Sequence, residues 1–312
     1  MNKGKLDPQV EAYLNELKAL NAPPLETLTP EQARQNNIDT KKRIGGQLKP
    51  IAKMEDHIVP TDGHDVPIRI YTPEGEGPFP VFVYFHGGGW VTGDLNTHDA
   101  LCCFLCNMTP CMVVTVDYRL APEHKFPAAV NDAISSTRWI QENISSFGGS
   151  HKKIAIGGDS AGGNLATVVA QHVDGLCYQI LMYPVIDLSN LDTNSYRNFA
   201  EGYFLTRNSM AWFRDHYLKD EADRTHPDAS PLLYDDLSNQ PPALVLTAGF
   251  DPLLDEGEAY AKRLKASGVS VEYICYEGQV HGFLTMADVV DAAYVGLEAC
   301  AMSLQKVFSA LP

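Results

Sequence analysis

The stretch IAIGGDSAGGNLA, residues 154–166, constrains this chain more than any other. A β-branched, apolar run enters Gly157-Gly158, and Asp159-Ser160-Ala161-Gly162-Gly163 leads on to small and apolar residues. That order predicts a strand that turns abruptly into a helix. Such a turn crowds the residues two before and two after its apex, so Gly158 and Gly162 must carry almost no side chain. The apex serine then stands clear at a helix N-terminus. Ser160 is either a nucleophile held for attack or the punctuation of a glycine-rich helix entry, and the rest of the chain has to decide between them.

The surroundings predict a parallel sheet. FPVFVYFH, MVVTVDYR, KIAIGG, YQILMYP and ALVLTAG are continuous apolar runs of strand length, the pattern of strands covered on both faces. Helical stretches such as AVNDAISSTRWIQENI and GNLATVVAQHV lie between them. Strand–helix alternation predicts an α/β fold with a mostly parallel, doubly wound sheet, and 312 residues suffice for one large domain of that kind. VPIRIYTP alternates instead and predicts an antiparallel edge strand. The N-terminal segment predicts two helices. The first has Asp7 as cap, Pro8 in the first turn and an apolar period through Val10, Tyr13, Leu14, Leu17 and Leu20; the second opens with Thr29 and Gln32 as a capping box. Between Asp187 and about Pro242 the alternation breaks for about fifty residues, far more than a crossover needs. The expected organisation is residues 1–48 as the first part of a helical cap, 49–187 and 222–312 as the catalytic core, and 188–221 as an inserted cap segment.

Composition narrows the partners. The net charge of −15 provides no basic face for nucleic acid or an anionic membrane. No apolar run of about 18 residues predicts a transmembrane helix, and the N-terminus lacks the apolar core and cleavage site of a signal peptide. Seven cysteines without framework spacing fit reduced thiols in the cytoplasm. Cys103 and Cys106 form a C-x-x-C inside ALCCFLCNM, which predicts a buried helix; no second pair completes a metal site. No metal and no cofactor is expected.

A serine nucleophile needs a base, and the base an orienting acid. Asp251 follows the apolar run ALVLTAGF, and His281 follows VEYICYEGQV, so both are expected at the sheet edge that carries Ser160. Asp255 and Glu256 compete for the acid's role, but they fall inside the start of a helix. Acyl transfer also needs N–H donors for a developing oxyanion. The strand VYF ends in His86-Gly87-Gly88-Gly89, whose backbone amides no side chain obstructs. Gly87, Gly88 and the amide of Ala161 are the expected donors, with His86 as an anchor of the loop. Trp90, Phe204, Trp212 and Phe213 are candidate walls of a substrate pocket.

HGGGW at 86–90, DYRLAPEHKFPAA at 117–129, GDSAGGNLA at 158–166, DPLLDEG at 251–257 and HGF at 281–283 stand in one order. In this the chain resembles the hormone-sensitive-lipase-like esterases, bacterial family IV of the α/β-hydrolase fold. The resemblance covers most of the chain from about residue 50. It implies a cofactor-free cytoplasmic carboxylesterase for short to medium acyl esters, acting on a small-molecule substrate. Ser160 would be the nucleophile, His281 the base and Asp251 the acid, with a homodimer left open. Within DYRLAPEHKFPAA, Arg119 and Glu123 are expected to pair and brace the floor of the site. Three other readings compete. An amidase would use the same triad. A nucleotide-binding oxidoreductase would use the glycine run after VFVYF, with Asp117 on the ribose. A non-catalytic binder like the gibberellin receptor, which resembles the family but lacks the histidine, would have no use for His281.

Overall fold

The computed structural model describes residues 4–61 and 63–311. In it β1 (Lys53–Thr61), β2 (His64–Thr72), β3 (Phe79–Phe85), β4 (Met112–Val116), β5 (Gly149–Asp159), β6 (Tyr178–Met182), β7 (Ala243–Phe250) and β8 (Val271–Val280) form an eight-stranded sheet, ordered β1-β2-β4-β3-β5-β6-β7-β8. From β4 to β8 every pairing is parallel; β1–β2 and β2–β4 are antiparallel. VPIRIYTP supplies β2, one place in from the edge that was expected for it. The edge itself is β1, whose Lys53, Glu55 and Asp56 give it the charged character of a protected edge strand.

The helices are α1 (Pro8–Leu20), α2 (Pro30–Ile44), α3 (Asp99–Met108), α4 (Ala128–Asn143), α5 (Ala161–His172), α6 (Asn194–Asn198), α7 (Arg207–Tyr217), α8 (Leu254–Ala266) and α9 (Asp291–Ala310). They explain why the central strands are apolar throughout. In β3, Val81, Val83 and Phe85 pack in a cluster with Val130 of α4, Leu165 of α5 and Leu264 of α8. Phe82 and Tyr84 point the other way, into a cluster with Leu101 and Leu105 of α3 and Leu297 of α9. Successive side chains alternate faces, so a strand covered on both sides needs apolar residues at every position. Cys103 and Cys106 belong to this packing, and burial pushes the Cys103 thiol up to about 11.

Two features place the site. From β3 the chain crosses to β4 on one side and then returns to β5 on the other, so the strand order reverses at β3. Such a reversal leaves a crevice at the carboxyl ends of the strands. The glycine run follows β3 and the serine turn follows β5, which brings both to that crevice. The second feature is a separate apolar cluster. Val10 and Tyr13 of α1, Ile44 of α2 and Phe199 from the inserted segment pack with Phe250 and Val280, the last residues of β7 and β8. Both N-terminal helices start as their sequences predict. Asp7 accepts the Gln9 N–H at 2.8 Å, and Thr29 and Gln32 form both bonds of the capping box. Among the described residues no helix is long and apolar enough to cross a membrane.

Candidate active site

Ser160 sits at the end of β5 with φ 55° and ψ −116°, a strained conformation held by the turn into α5. The glycines around it are sterically required. A Cβ on Gly158 would come within 2.5 Å of the Gly162 carbonyl carbon, and one on Gly162 would collide with the Phe85 carbonyl oxygen. Ser160 therefore projects from the crevice, and its Oγ lies 2.9 Å from His281 Nε2. His281 Nδ1 lies 2.7 Å from Asp251 Oδ2. Asp251 follows β7, is buried, and is fixed by the Leu253 N–H, which donates to its Oδ1 at 2.9 Å. The Tyr183 ring packs edge-on against the imidazole at 4.9 Å. The rival carboxylates are engaged elsewhere. Asp255 accepts the Ser195 N–H of α6 at 2.8 Å, and Glu256 accepts the Ile186 N–H at 2.7 Å. A serine in line with an imidazole and a buried carboxylate, at the carboxyl edge of such a sheet, is the apparatus of a serine hydrolase.

The glycine run after β3 differs from expectation in one respect. The Gly87 N–H is not free: it donates to Asp159 Oδ1 at 2.7 Å. Gly88 (φ 121°) and Gly89 (φ 60°) then turn the loop. A Cβ on Gly89 would strike the Phe213 ring, so α7 lies directly over this turn. His86 anchors the loop from behind. Its Nδ1 lies 2.8 Å from the Gly87 carbonyl oxygen, and its ring stacks on Tyr118 at 4.4 Å. Burial, with His98 nearby, pushes His86 down to about 4, so it is neutral at physiological pH.

Asp159, beside the serine, is the hub of a buried network that its position in the sequence does not announce. It accepts the Tyr84 hydroxyl at 2.6 Å as well as the Gly87 amide, and His98 Nε2 lies 3.2 Å away. Burial by itself would raise this carboxyl; His98, Lys41 and the Tyr84 hydroxyl outweigh it and hold Asp159 far below the usual carboxylate range. The DYRLAPEHKFPAA segment does brace the site, but by other contacts than the expected pair. Tyr118 donates its hydroxyl to the His86 carbonyl at 2.7 Å, and the Ala121 N–H donates to the Trp90 carbonyl at 2.8 Å. Arg119 pairs with Asp132 at 2.8 Å, whereas Glu123 pairs with Arg34 of α2. The Arg34 guanidinium also donates to the Val91 and Ala121 carbonyls, both at 2.9 Å, and so ties α2 to the glycine loop.

Above Ser160 lies a cavity of about 630 Å³. Gly87–Gly89, Ser160 and His281 form its floor, with walls from α1, α2, α7 and the stretch 201–206. Phe204 and Phe213 line it. Trp90 does not: it is fully buried and stacks face to face on Tyr217 at 4.1 Å. Trp212 also lies off the cavity, against His216. The nucleotide reading fails on local geometry, because α3 opens only at Asp99. The glycine run therefore has no adjoining helix N-terminus to receive a pyrophosphate.

Comparison with known proteins agrees with this geometry. A family model described as the α/β hydrolase fold matches residues 82–285. The chain is 45% identical over 239 residues to the carboxylic ester hydrolase LipN of Mycobacterium tuberculosis, a match covering 73% of this chain and 63% of that longer protein. It is 35% identical to the ethyl acetate hydrolase of Pseudomonas putida over 96% of this chain and 99% of that one. Among solved structures it resembles the hyperthermophilic esterase of the archaeon Pyrobaculum calidifontis, with a TM-score of 0.92 and 38% identity, covering 97% of this chain and 99% of the other. The chain belongs to the α/β-hydrolase family, in its hormone-sensitive-lipase-like branch of carboxylic ester hydrolases.

Proposed function

We propose that the protein is a carboxylesterase that cleaves short- to medium-chain acyl esters through an acyl-enzyme on Ser160. The observation that carries this reading is the hydrogen-bonded line Ser160–His281–Asp251, with contacts of 2.9 and 2.7 Å, on the floor of a 630 Å³ cavity. His281 Nε2 takes the Ser160 proton as Oγ attacks the ester carbonyl, and returns it to the departing alkoxide. Water then enters by the same relay and releases the acid. Asp251 holds the imidazole in the required tautomer and balances the charge it acquires. With the Gly87 amide committed to Asp159, the oxyanion donors are Gly88, Gly89 and Ala161, one residue further along the loop than the sequence suggested.

Residues 4–48 and 188–221 act as the cap, supported by their shares of the cavity wall, and residues 1–3 of the expected cap lie outside the described residues. A cavity of this size sets a limit on the acyl chain. Each buried methylene contributes about 0.8 kcal/mol while it fits, and none once the chain meets the wall. The seven unbonded cysteines support a reducing, cytoplasmic setting. A p-nitrophenyl ester series from acetate to palmitate tests the reading: kcat/KM should rise to butyrate or hexanoate and fall beyond octanoate. Ser160→Ala should fold and lose on the order of 10⁶ in kcat. A preference for palmitate would remove the chain-length limit, and an active Ala variant would remove the nucleophile.

A further inference from the structure

The cavity wall holds a cation that this chemistry does not use. Lys41 of α2 lines the cavity together with Ser160, His281 and Gly282. Its ammonium donates to Thr285 Oγ1, and Thr285 in turn donates to the Gly282 carbonyl at 2.8 Å, one residue beyond His281. Among the described residues it forms no ion pair. Asp159, the acidic group that acts on it electrostatically, is already occupied by Tyr84, Gly87 and His98. Arg43, also on the cavity, pairs with Glu16 at 3.2 Å, while Glu26 and Glu201 line the cavity without pairing to Lys41. Burial pushes Lys41 down to about 8, which still leaves most of it protonated at pH 7. An ammonium has three donors, and holding one in such a place without a direct ion pair is costly.

A second group points the same way. Asn37 lies one helical turn before Lys41, on the same face of α2, and lines the same cavity. Its side-chain oxygen is buried with no partner. Turned over, the amide presents its two N–H donors in that place. Buried polar groups are ordinarily paired, and here a cation and an amide at i and i+4 face a cavity whose wall mixes apolar residues such as Leu17, Leu205, Met210 and Phe213 with the carboxylates of Glu26 and Glu201.

We propose that Lys41, with Asn37, binds an anionic group of the substrate, so that the enzyme prefers esters that carry a carboxylate over their neutral counterparts. The inference rests on the esterase reading of Ser160 and names the substrate class for it. No bond is made or broken at Lys41; it is a specificity residue.

Two probe pairs test it, one for each end of the ester. p-Nitrophenyl hemisuccinate against p-nitrophenyl pentanoate places the charge on the acyl side; 4-acetoxybenzoate against 4-acetoxybenzamide places it on the alcohol side. In at least one pair the anionic-to-neutral ratio of kcat/KM should fall on the order of ten- to a hundredfold in Lys41→Met, as expected for a charge-assisted hydrogen bond. The fall should appear chiefly in KM, and Lys41→Arg should restore much of the ratio. Because the readout is a ratio, a general loss from a loosened cap cancels. Asn37→Leu, which leaves the ammonium in place, should lower the same ratio by a smaller factor and serves if Lys41→Met does not fold. An unchanged ratio in both pairs and in all these variants overturns the inference alone. A wild-type enzyme that turns over none of the four esters removes the esterase reading and the inference together.

Discussion

Asp159→Ala removes the acceptor on which the glycine loop rests. Asp159 Oδ1 receives the Gly87 amide at 2.7 Å and the Tyr84 hydroxyl at 2.6 Å, and Tyr84 is fully buried. A buried donor left without a partner costs about 1–3 kcal/mol, so losing both partners costs about 2–6 kcal/mol. That is a large fraction of the roughly 5–15 kcal/mol that holds a domain folded. Asp159→Asn keeps an oxygen for both donors and loses only the charge facing His98 and Lys41, so it should cost much less. The catalytic effect follows the same ranking. Gly87 fixes the start of the Gly88–Gly89 turn, and a displaced oxyanion donor lowers kcat on the order of 10²- to 10³-fold. KM should change little, because those contacts form in the transition state. The acid limb of stability adds a second signature. The folded-state pKa of Asp159 is depressed below its ordinary 3.8, so its contribution is complete above that pH and is lost as pH falls below it. Asp159→Asn should lack that loss. Urea unfolding followed by tryptophan fluorescence, together with p-nitrophenyl butyrate turnover, measures all three effects. An Asp159→Ala variant with wild-type kcat, or with a change in KM alone, would refute the reasoning.

Other substitutions separate groups that stand close together in the sequence. Asp251→Asn should lower kcat on the order of 10⁴-fold by favouring the wrong imidazole tautomer, while Asp255→Asn, whose residue holds α6 through Ser195, should leave most of it; the reverse ranking in ester turnover would reassign the acid. Arg34→Ala loses the bonds to the Val91 and Ala121 carbonyls, worth about 1 kcal/mol each. Glu123→Gln loses only a half-exposed pair worth about 0–1 kcal/mol, so chemical denaturation should find the Arg34 variant clearly the weaker. Burial raises Glu256 well above its ordinary 4.5 despite the Ile186 amide on its Oε1. The folded state therefore holds the proton longer than the unfolded chain does, and wild-type stability should decline as pH rises above 4.5. Glu256→Gln keeps the acceptor and stays neutral, so its melting temperature should improve relative to wild type between pH 5 and 8.

What could be read from the sequence was mostly set by sterics local to the chain. Gly158 and Gly162 announce the serine turn because a side chain at either would meet backbone four residues away or at the end of the neighbouring strand. Asp251 and His281 could be placed because each follows an apolar run, and parallel strands bring their carboxyl ends to one edge. The commitment of Gly87 was harder to see. It arises because β3 and β5 pair in parallel with Phe85 opposite Gly158, which sets the next residues of both strands side by side. An acidic residue placed between the last glycine of β5 and Ser160 was the available signal, and it needed the strand register to be interpreted. The edge strand β1 escaped notice because MEDHIVPT is charged and carries Pro60, features that weaken any strand pattern.

The residues that escaped altogether share a different cause: their partners come from distant parts of the chain. Arg119 and Glu123, four apart, invite each other on paper, yet each answers to a group that only the fold supplies, Asp132 of α4 and Arg34 of α2. Trp90 follows the glycine loop and looks like a pocket wall until α7 brings Tyr217 flat against it. Helix α2 is the strongest case. Its sequence, PEQARQNNIDTKKRI, was expected in the cap, but it buries only Ala33 and Ile44 and its other residues are mostly polar. Polar residues on such a helix are indistinguishable from one another until the face that carries Arg34, Asn37 and Lys41 is laid over the carboxyl ends of the strands. At that point the residue types acquire separate meanings: a guanidinium that ties down the glycine loop, an amide oxygen without a partner, and an ammonium on the wall of the cavity that Ser160 floors. On the proposed roles, the reaction is written in short motifs at the strand ends, whereas the discrimination among substrates is written in a helix whose polar residues cannot be told apart until it is docked.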